Sequence, residues 1–260
     1  MVIESRIVVF AGPSIPPQGW CYGRRCERLP PAAVGDLLRL ANDPPAIICL
    51  IDGYFDATPA PWHKEILSLM SAGWTIFGAS SMGALRAAEL HALGMIGVGS
   101  IFAAYRDGLL TGDDEVACVH APGDLGWLPL TVPMVEIRAT LVAAMRARSI
   151  DRFTARAVRR AIHDVHFARR DWSMIEQTCV GQGLLTGQAC ERLRMGHVRL
   201  KQIDAVQCLE AALGWRGPAM RPPPPPRTCY LAALCNEVAA DASSASSVAM
   251  NAAPVPAGNG

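Results

Sequence analysis

The sequence predicts an α/β fold: a mainly parallel wound sheet with flanking helices, followed by a C-terminal helical lobe and a disordered tail. Three observations predict it. Short apolar runs of strand length alternate with amphipathic helical segments over the first half of the chain, the pattern of a wound parallel sheet. From residue 132 onward the periodicity is helical only. Beyond Gly217 a polyproline run at 222–226 leads into a stretch of mostly Ala, Ser, Pro, Gly and Asn. These shifts set the expected boundaries: an α/β core at 1–130, a helical lobe at 131–216 and a tail at 217–260. The tail is expected to carry no more than a short helix at 228–240.

Residues 6–10 (RIVVF) form the first expected strand and run into Ala11-Gly12-Pro13-Ser14. That turn places Ser14 at a strand's C-terminal end, where ligand sites gather in open α/β sheets. A helix is expected at 31–41, with Pro30 and Pro31 suited to its start. The apolar run 46–51 (AIICLI) is a buried strand ending at Asp52-Gly53. Residues 61–71 are helical, with Trp62, Ile66, Leu69 and Met70 spaced for one face. Further strands are expected at 74–78 and at 115–120, the latter holding VACVH, with a helix over 100–109 between them. Helices then follow at 132–148, 150–170, 172–180, 190–200 and 201–213.

A chain of 260 residues with 51% hydrophobic content can bury a proper core. The net charge of +1 gives no global pointer to nucleic acid or membrane, and no apolar run is long enough to span a bilayer. The first residues carry an acid early and a five-residue apolar run, which is not a secretory signal. Nine cysteines, odd in number and without a C-x-x-C pair, read as free thiols in a reducing cytoplasm, with no zinc site. The glycines at 94, 97 and 99 follow a helix rather than a strand, so no dinucleotide fingerprint and no cofactor is expected. Residues 138–170 hold nine arginines against two acids, a local charge of +7. This is a solvated helix face or a docking surface for an acidic protein partner.

The stretch with most chemical content is 74–90, WTIFGASSMGALRAAEL. A short strand passes through Ala79-Ser80-Ser81-Met82-Gly83 into a helix, so that Ser81 sits in A-x-S-x-G, one residue from the G-x-S-x-G nucleophile elbow. Small residues on both sides let the backbone turn sharply, and the first helical N–H groups suit a developing oxyanion. A serine before a helix is equally an N-cap, and the two roles are compatible at this position.

Several blocks resemble the TfuA-like family: VFAGPS at 9–14, IDGYF at 51–55, PWHKEILSLMSAG at 61–73, FGASSMGALRAAEL at 77–90, GMIGVGSIFAAYRDG at 94–108 and DDEVACVHAP at 113–122. A weaker echo lies at 201–204. Between 17 and 29 the segment GWCYGRRCER is shorter and richer in arginine than the family pattern, so an edge element of the sheet is expected to be lost there. TfuA-like proteins stand beside YcaO enzymes, which activate peptide backbone amides with ATP, and the pair installs thioamides in ribosomally made peptides. The resemblance therefore implies a YcaO-type enzyme as partner, a thiocarboxylated sulfur-carrier protein as sulfur source, and a precursor peptide reached indirectly.

In that setting Ser81 is the expected nucleophile on the thiocarboxylate carbonyl, with His63 as base and Asp52 orienting it. Gly12, Ser14, Ser80 and Met82 are expected to line the substrate site and supply oxyanion donors. Arg86 is expected to meet the carrier's terminal carboxylate or thiocarboxylate, with Glu89 as its i,i+3 partner. The alternative is a non-catalytic adaptor that docks a sulfur donor onto the YcaO-type enzyme. A third reading is a thiol relay through Cys21 or Cys26.

Overall fold

A computed structural model describes residues 6–16, 20, 23–55 and 58–251, and only the backbone at 24, 242 and 244–251. Five strands, β1 (Ile7–Phe10), β2 (Cys26–Leu29), β3 (Ile47–Leu50), β4 (Thr75–Gly78) and β5 (Ile96–Gly97), form one sheet in the order β2-β1-β3-β4-β5. Every pairing is parallel, and Ile7, Ile47 and Thr75 stand in register across the three central strands. Parallel neighbours need crossover connections, and helices pack on both faces of the sheet.

The period-2 alternation of side chains divides β1 between two cores. Val8 and Phe10, with Ile48, Leu50 and Ile76, pack against α1 (His63–Ser71), α2 (Met82–Leu90) and α3 (Gly99–Arg106). Ile7 and Val9, with Cys49 and Phe77, pack against Ala205, Cys208, Leu209 and Ala212 of α8 (Leu200–Gly214). A third cluster joins α4 (Met134–Arg146), α5 (Arg152–His163), α6 (Trp172–Gly181) and α7 (Gly187–Met195) into the helical lobe. So α8, which follows the lobe in sequence, is a covering layer of the sheet. No helix among the described residues is long and apolar enough to cross a membrane.

Three local expectations are corrected. The edge element expected to be lost is present as β2, whose Cys26–Leu29 backbone pairs with β1, and Arg6 ties that edge through Glu27 at 2.9 Å and Asp43 at 2.7 Å. The helix expected at 31–41 is reduced to a single 3-10 turn at Leu38–Leu40, because Gly35 takes a φ of +88°, which interrupts a helix. The strand expected at 115–120 does not join the sheet. Asp113–Glu115 makes a 3-10 turn, the Glu115 carboxylate is drawn to Arg138 of α4 at 2.9 Å, and the Val116 carbonyl accepts from Lys201 of α8. The polar groups of this segment thus go to two helices and to residues 128–131 rather than to the sheet.

At the start of α1, Glu65 is fully buried, accepting from the Trp62 N–H and the Gly35 N–H at 2.8 Å each. Burial pushes its carboxyl up from 4.5 to about 7, against the pull of those two donors. Between these values the folded protein holds a proton that the unfolded chain has released, so stability falls as pH rises through that window. The melting temperature is expected to drop between pH 4.5 and 7, and Glu65→Gln should flatten that slope in thermal melts taken across the range.

The C-terminal segment is more ordered than its composition implies. The short helix expected at 228–240 is the first part of α9 (Cys229–Asn251), and Leu231, Leu234 and Val238 are buried against Leu38. Arg39 pairs with Asp241 at 2.9 Å, and Lys64 donates to Thr228 at 3.1 Å. These contacts tie the first part of α9 to the core. Removal of everything after Gly217 is expected to cost about 2 kcal/mol, the burial of three apolar side chains less the entropy of ordering the helix. Urea denaturation of the truncated and full chains measures it, and equal midpoints would show that α9 contributes nothing.

Candidate functional site

The C-terminal ends of β1, β3 and β4 lie side by side, as the parallel topology requires, and one carboxylate joins them. Asp52, two residues past the end of β3, is 1% exposed. Its Oδ2 accepts from the Gly12 N–H at 2.8 Å and the Ser14 N–H at 3.0 Å, and its Oδ1 accepts from the Ser14 hydroxyl at 2.6 Å. The Ser80 hydroxyl, from the turn after β4, donates to Ser14 Oγ at 2.8 Å. The fourth member comes from across the molecule: Lys201 Nζ of α8 stands 3.9 Å from Asp52 Oδ1.

The turn between β4 and α2 is built for close approach. A Cβ on Gly83 would lie 1.7 Å from the Leu50 carbonyl oxygen, so the first turn of α2 rests directly on β3 and only glycine fits there. Ser80 adopts a φ of +68°, a left-handed conformation that costs a residue other than glycine about 1 kcal/mol and is held by its bond to Ser14. That reversal delivers Ser81 to the N-cap position of α2. Its hydroxyl does not make the capping bond, and among the described residues it has no hydrogen-bond partner. The Met82 N–H, the first of the helix, likewise has no acceptor among the described residues, and such orphan donors point out of a helix's N-terminal end.

Ser81 lines a cavity of about 310 Å³ together with Pro13, Asp52, Tyr54, Cys118, His120, Phe167 and Lys201. Residues 116–121, which carry two of these side chains, are held by the Val116–Lys201 bond and by Val119, whose N–H donates to Thr131 Oγ1 at 2.8 Å. His120 Nδ1 lies 2.8 Å from the Ala121 carbonyl. A carbonyl only accepts, so Nδ1 carries the hydrogen and Nε2 of the neutral ring is left as a proton acceptor. Its ring is tilted against Tyr54.

Lys201 is buried throughout its length. Nζ donates to the Val116 carbonyl at 2.9 Å and contacts Cys118 Sγ at 3.8 Å, while its N–H donates to Glu136 Oε1. Burial opposes the charge, but the Cys118 sulfur and the Asp52 and Glu136 carboxylates outweigh it and hold the ammonium above the ordinary lysine range. Burial pushes the Cys118 thiol up, with Lys201 pulling the other way. At neutral pH the pair is therefore an ammonium beside a neutral thiol.

The remaining expected site residues are placed elsewhere. His63 does not line the Ser81 cavity. It stands half-exposed at the start of α1, with Nε2 2.7 Å from Glu89 Oε2. Asp52 does not orient it, because both Asp52 oxygens are occupied by the β1 turn. Arg86 is committed to the Pro61 carbonyl at 2.9 Å and to Glu89 at 2.8 Å, the local pair expected for it, and Arg86 and Glu89 lie outside the cavity lining. Gly12, Ser14 and Ser80 belong to the Asp52 network behind the cavity wall, and the Gly12 and Ser14 N–H groups are spent on that carboxylate. Cys26 is buried in β2 with its thiol pushed up by burial, a poor nucleophile, and Cys21 lies outside the described residues.

His120, Cys118 and Lys201 are the residues that sequence reasoning missed as site members. A histidine closing the apolar run at 116–120 was one available signal. Lys201 and Asp204, spaced i,i+3 in a helix otherwise apolar on that face, were another: Asp204 is buried too, accepting from the Ile101 N–H at 2.7 Å at the start of α3.

Replacing Asp52 by Asn would set an amide donor against one of the Gly12, Ser14 and Lys201 donors. The expected loss is roughly 3 kcal/mol of stability, against less than about 1 kcal/mol for Glu89→Gln in the exposed His63–Arg86 cluster. Chemical denaturation of both variants measures the contrast.

Residues 52–171 match the family model of TfuA-like proteins. The match begins at Asp52, takes in the Ser81 turn and residues 116–121, and extends through α5 into the helical lobe. A search of the curated proteins gave no match.

Proposed function

The chain carries a TfuA-like domain, and from that premise we propose that it is the partner of a YcaO-type enzyme in peptide backbone thioamidation, releasing sulfide from a thiocarboxylated sulfur-carrier protein. One observation supports this most: the Ser81 hydroxyl stands at the head of α2 without a capping bond, in a cavity that also holds a buried ammonium. A thiocarboxylate is a resonance-stabilised anion and a reluctant electrophile. Lys201 offsets its charge, and the Met82 N–H begins an oxyanion site for the tetrahedral intermediate.

Ser81 Oγ attacks the carbonyl carbon while His120 Nε2 accepts its proton, directly or through one water. The Oγ–C bond forms, the C–S bond breaks, and the proton passes to the departing sulfur, which leaves as HS⁻. Water then cleaves the ester: one of its protons returns to Ser81 Oγ, the other is taken by His120 Nε2 and released to solvent, and the carrier leaves as its carboxylate. His120 replaces His63 as base in this reading, because His120 shares the cavity with Ser81 and His63 does not. The role of Asp52 is positioning: it fixes the β1 turn and stands beside Lys201.

Docking is supported by α5, where Arg152, Arg156 and Arg160 are exposed and form no ion pair among the described residues. Such a face suits an acidic partner protein.

Ser81→Ala is expected to lower sulfide release from a thiocarboxylated carrier by roughly a thousandfold, His120→Ala by roughly a hundredfold, and His63→Ala by less than about twofold. Trapped sulfide and the mass of the carrier report the reaction, and carrier affinity should persist in all three. Wild-type release by folded Ser81→Ala protein would end the covalent mechanism and leave the adaptor role.

A further inference from the structure

A second cavity, also of about 310 Å³, adjoins the first and shares Pro13, Cys118 and Lys201 with it. Ser81 and His120 line only the first, whereas Val132, Glu136, Trp172, His197 and Gln202 line only the second. We infer that the two cavities are arms of one conduit meeting at Lys201, and that the sulfide released at Ser81 leaves through the second arm. This rests on the proposed function and adds the route of its product.

The first argument is steric. Once the acyl group is joined to Ser81 Oγ, the carrier segment behind it fills the first arm, and HS⁻ has no way back along it. The second is space: an anion near the size of a water molecule takes about 30 Å³, and the second arm holds several such volumes. The third is charge. An anion leaving the reaction centre must be kept from bare apolar surface, and the Lys201 ammonium stands at the junction within reach of both arms. Beyond it Glu136, His197, Arg199 and Gln202 interrupt a lining that is otherwise mostly apolar. His197 Nε2 lies 2.8 Å from Glu136 Oε2, so a histidine–carboxylate pair stands in the wall. The same arm admits the water that cleaves the acyl-enzyme once HS⁻ has gone.

The test is single-turnover sulfide release from a thiocarboxylated carrier, with the carrier's affinity measured alongside. Gln202→Trp narrows the second arm from α8 and Val132→Phe narrows it from the facing wall. Each is expected to slow the appearance of sulfide by about tenfold or more while carrier affinity stays within about twofold. Ile203→Trp, at an exposed neighbouring position of α8, should release sulfide as the unaltered protein does. On the unaltered protein, thiocyanate as a monoanion probe should slow release without competing with the carrier. Wild-type release by a folded Gln202→Trp or Val132→Phe variant, or purely competitive inhibition by thiocyanate, would overturn the route. Failure of the underlying reading is distinguishable, since Ser81→Ala would then release sulfide at the normal rate whatever the second arm does.

Discussion

A single buried carboxylate holds the functional end of this molecule together. Asp52 is taken out of water, and burial of an ionised group is tolerated only when its lone pairs are met. Here they are met by two backbone N–H groups and a hydroxyl from the turn after β1, with the α8 lysine nearby. Ser80 extends the network to the turn after β4. The three strand ends and the helix that covers the opposite face are therefore fixed relative to one another by one side chain. The position of Ser81 depends on it, because the left-handed residue that aims Ser81 is anchored to the same network.

The electrostatic character of the cavity follows from this arrangement. The Asp52 oxygens are directed largely into protein donors, while Lys201 remains an ammonium at the cavity wall. A partly enclosed site with a fixed cation favours an anionic substrate without reorganisation, because the desolvation is already compensated by the fold. Cys118, one contact away, stays a neutral thiol under the same burial. The site is thus suited to holding a sulfur anion rather than to forming a protein thiolate, which agrees with a hydroxyl nucleophile and disfavours a thiol relay.

The helical lobe and the C-terminal helix act on this centre from a distance. Arg138 of α4 takes the Glu115 carboxylate in a two-point contact and so directs residues 116–121 away from the sheet and over the cavity. Arg170, fully buried after α5, donates to the Val165 carbonyl and meets Asp114 at 3.4 Å. Two arginines of the lobe thereby brace the acidic turn 113–115 that precedes the segment carrying Cys118 and His120. Two of the three acids, Asp114 and Glu115, are taken up in these pairings, with Glu115 turned inward.

The sequence by itself determined what depends on local pattern. The runs 6–10, 46–51 and 74–78 were legible as strands because their burial on both faces leaves continuous apolar residues, and the Ser81 turn was legible because a strand-to-helix reversal demands small residues at fixed spacing. The sequence also placed Ser14, Asp52 and Ser81 after strands, and a parallel sheet gathers such loops on one edge, while the strand order makes β1, β3 and β4 neighbours. Tertiary structure alone decided the partners. Residue 201 lies nearly 150 positions beyond Asp52, and no periodicity announces that α8 crosses back under the sheet to meet it. Residues 116–120 have the composition of a strand, but two arginine pairings and a lysine outcompete the sheet for that segment. His63 was near Ser81 by chain logic, yet the outward face of α1 gives it to Glu89, because a half-exposed imidazole beside a carboxylate and an arginine is better solvated there than in an apolar crevice.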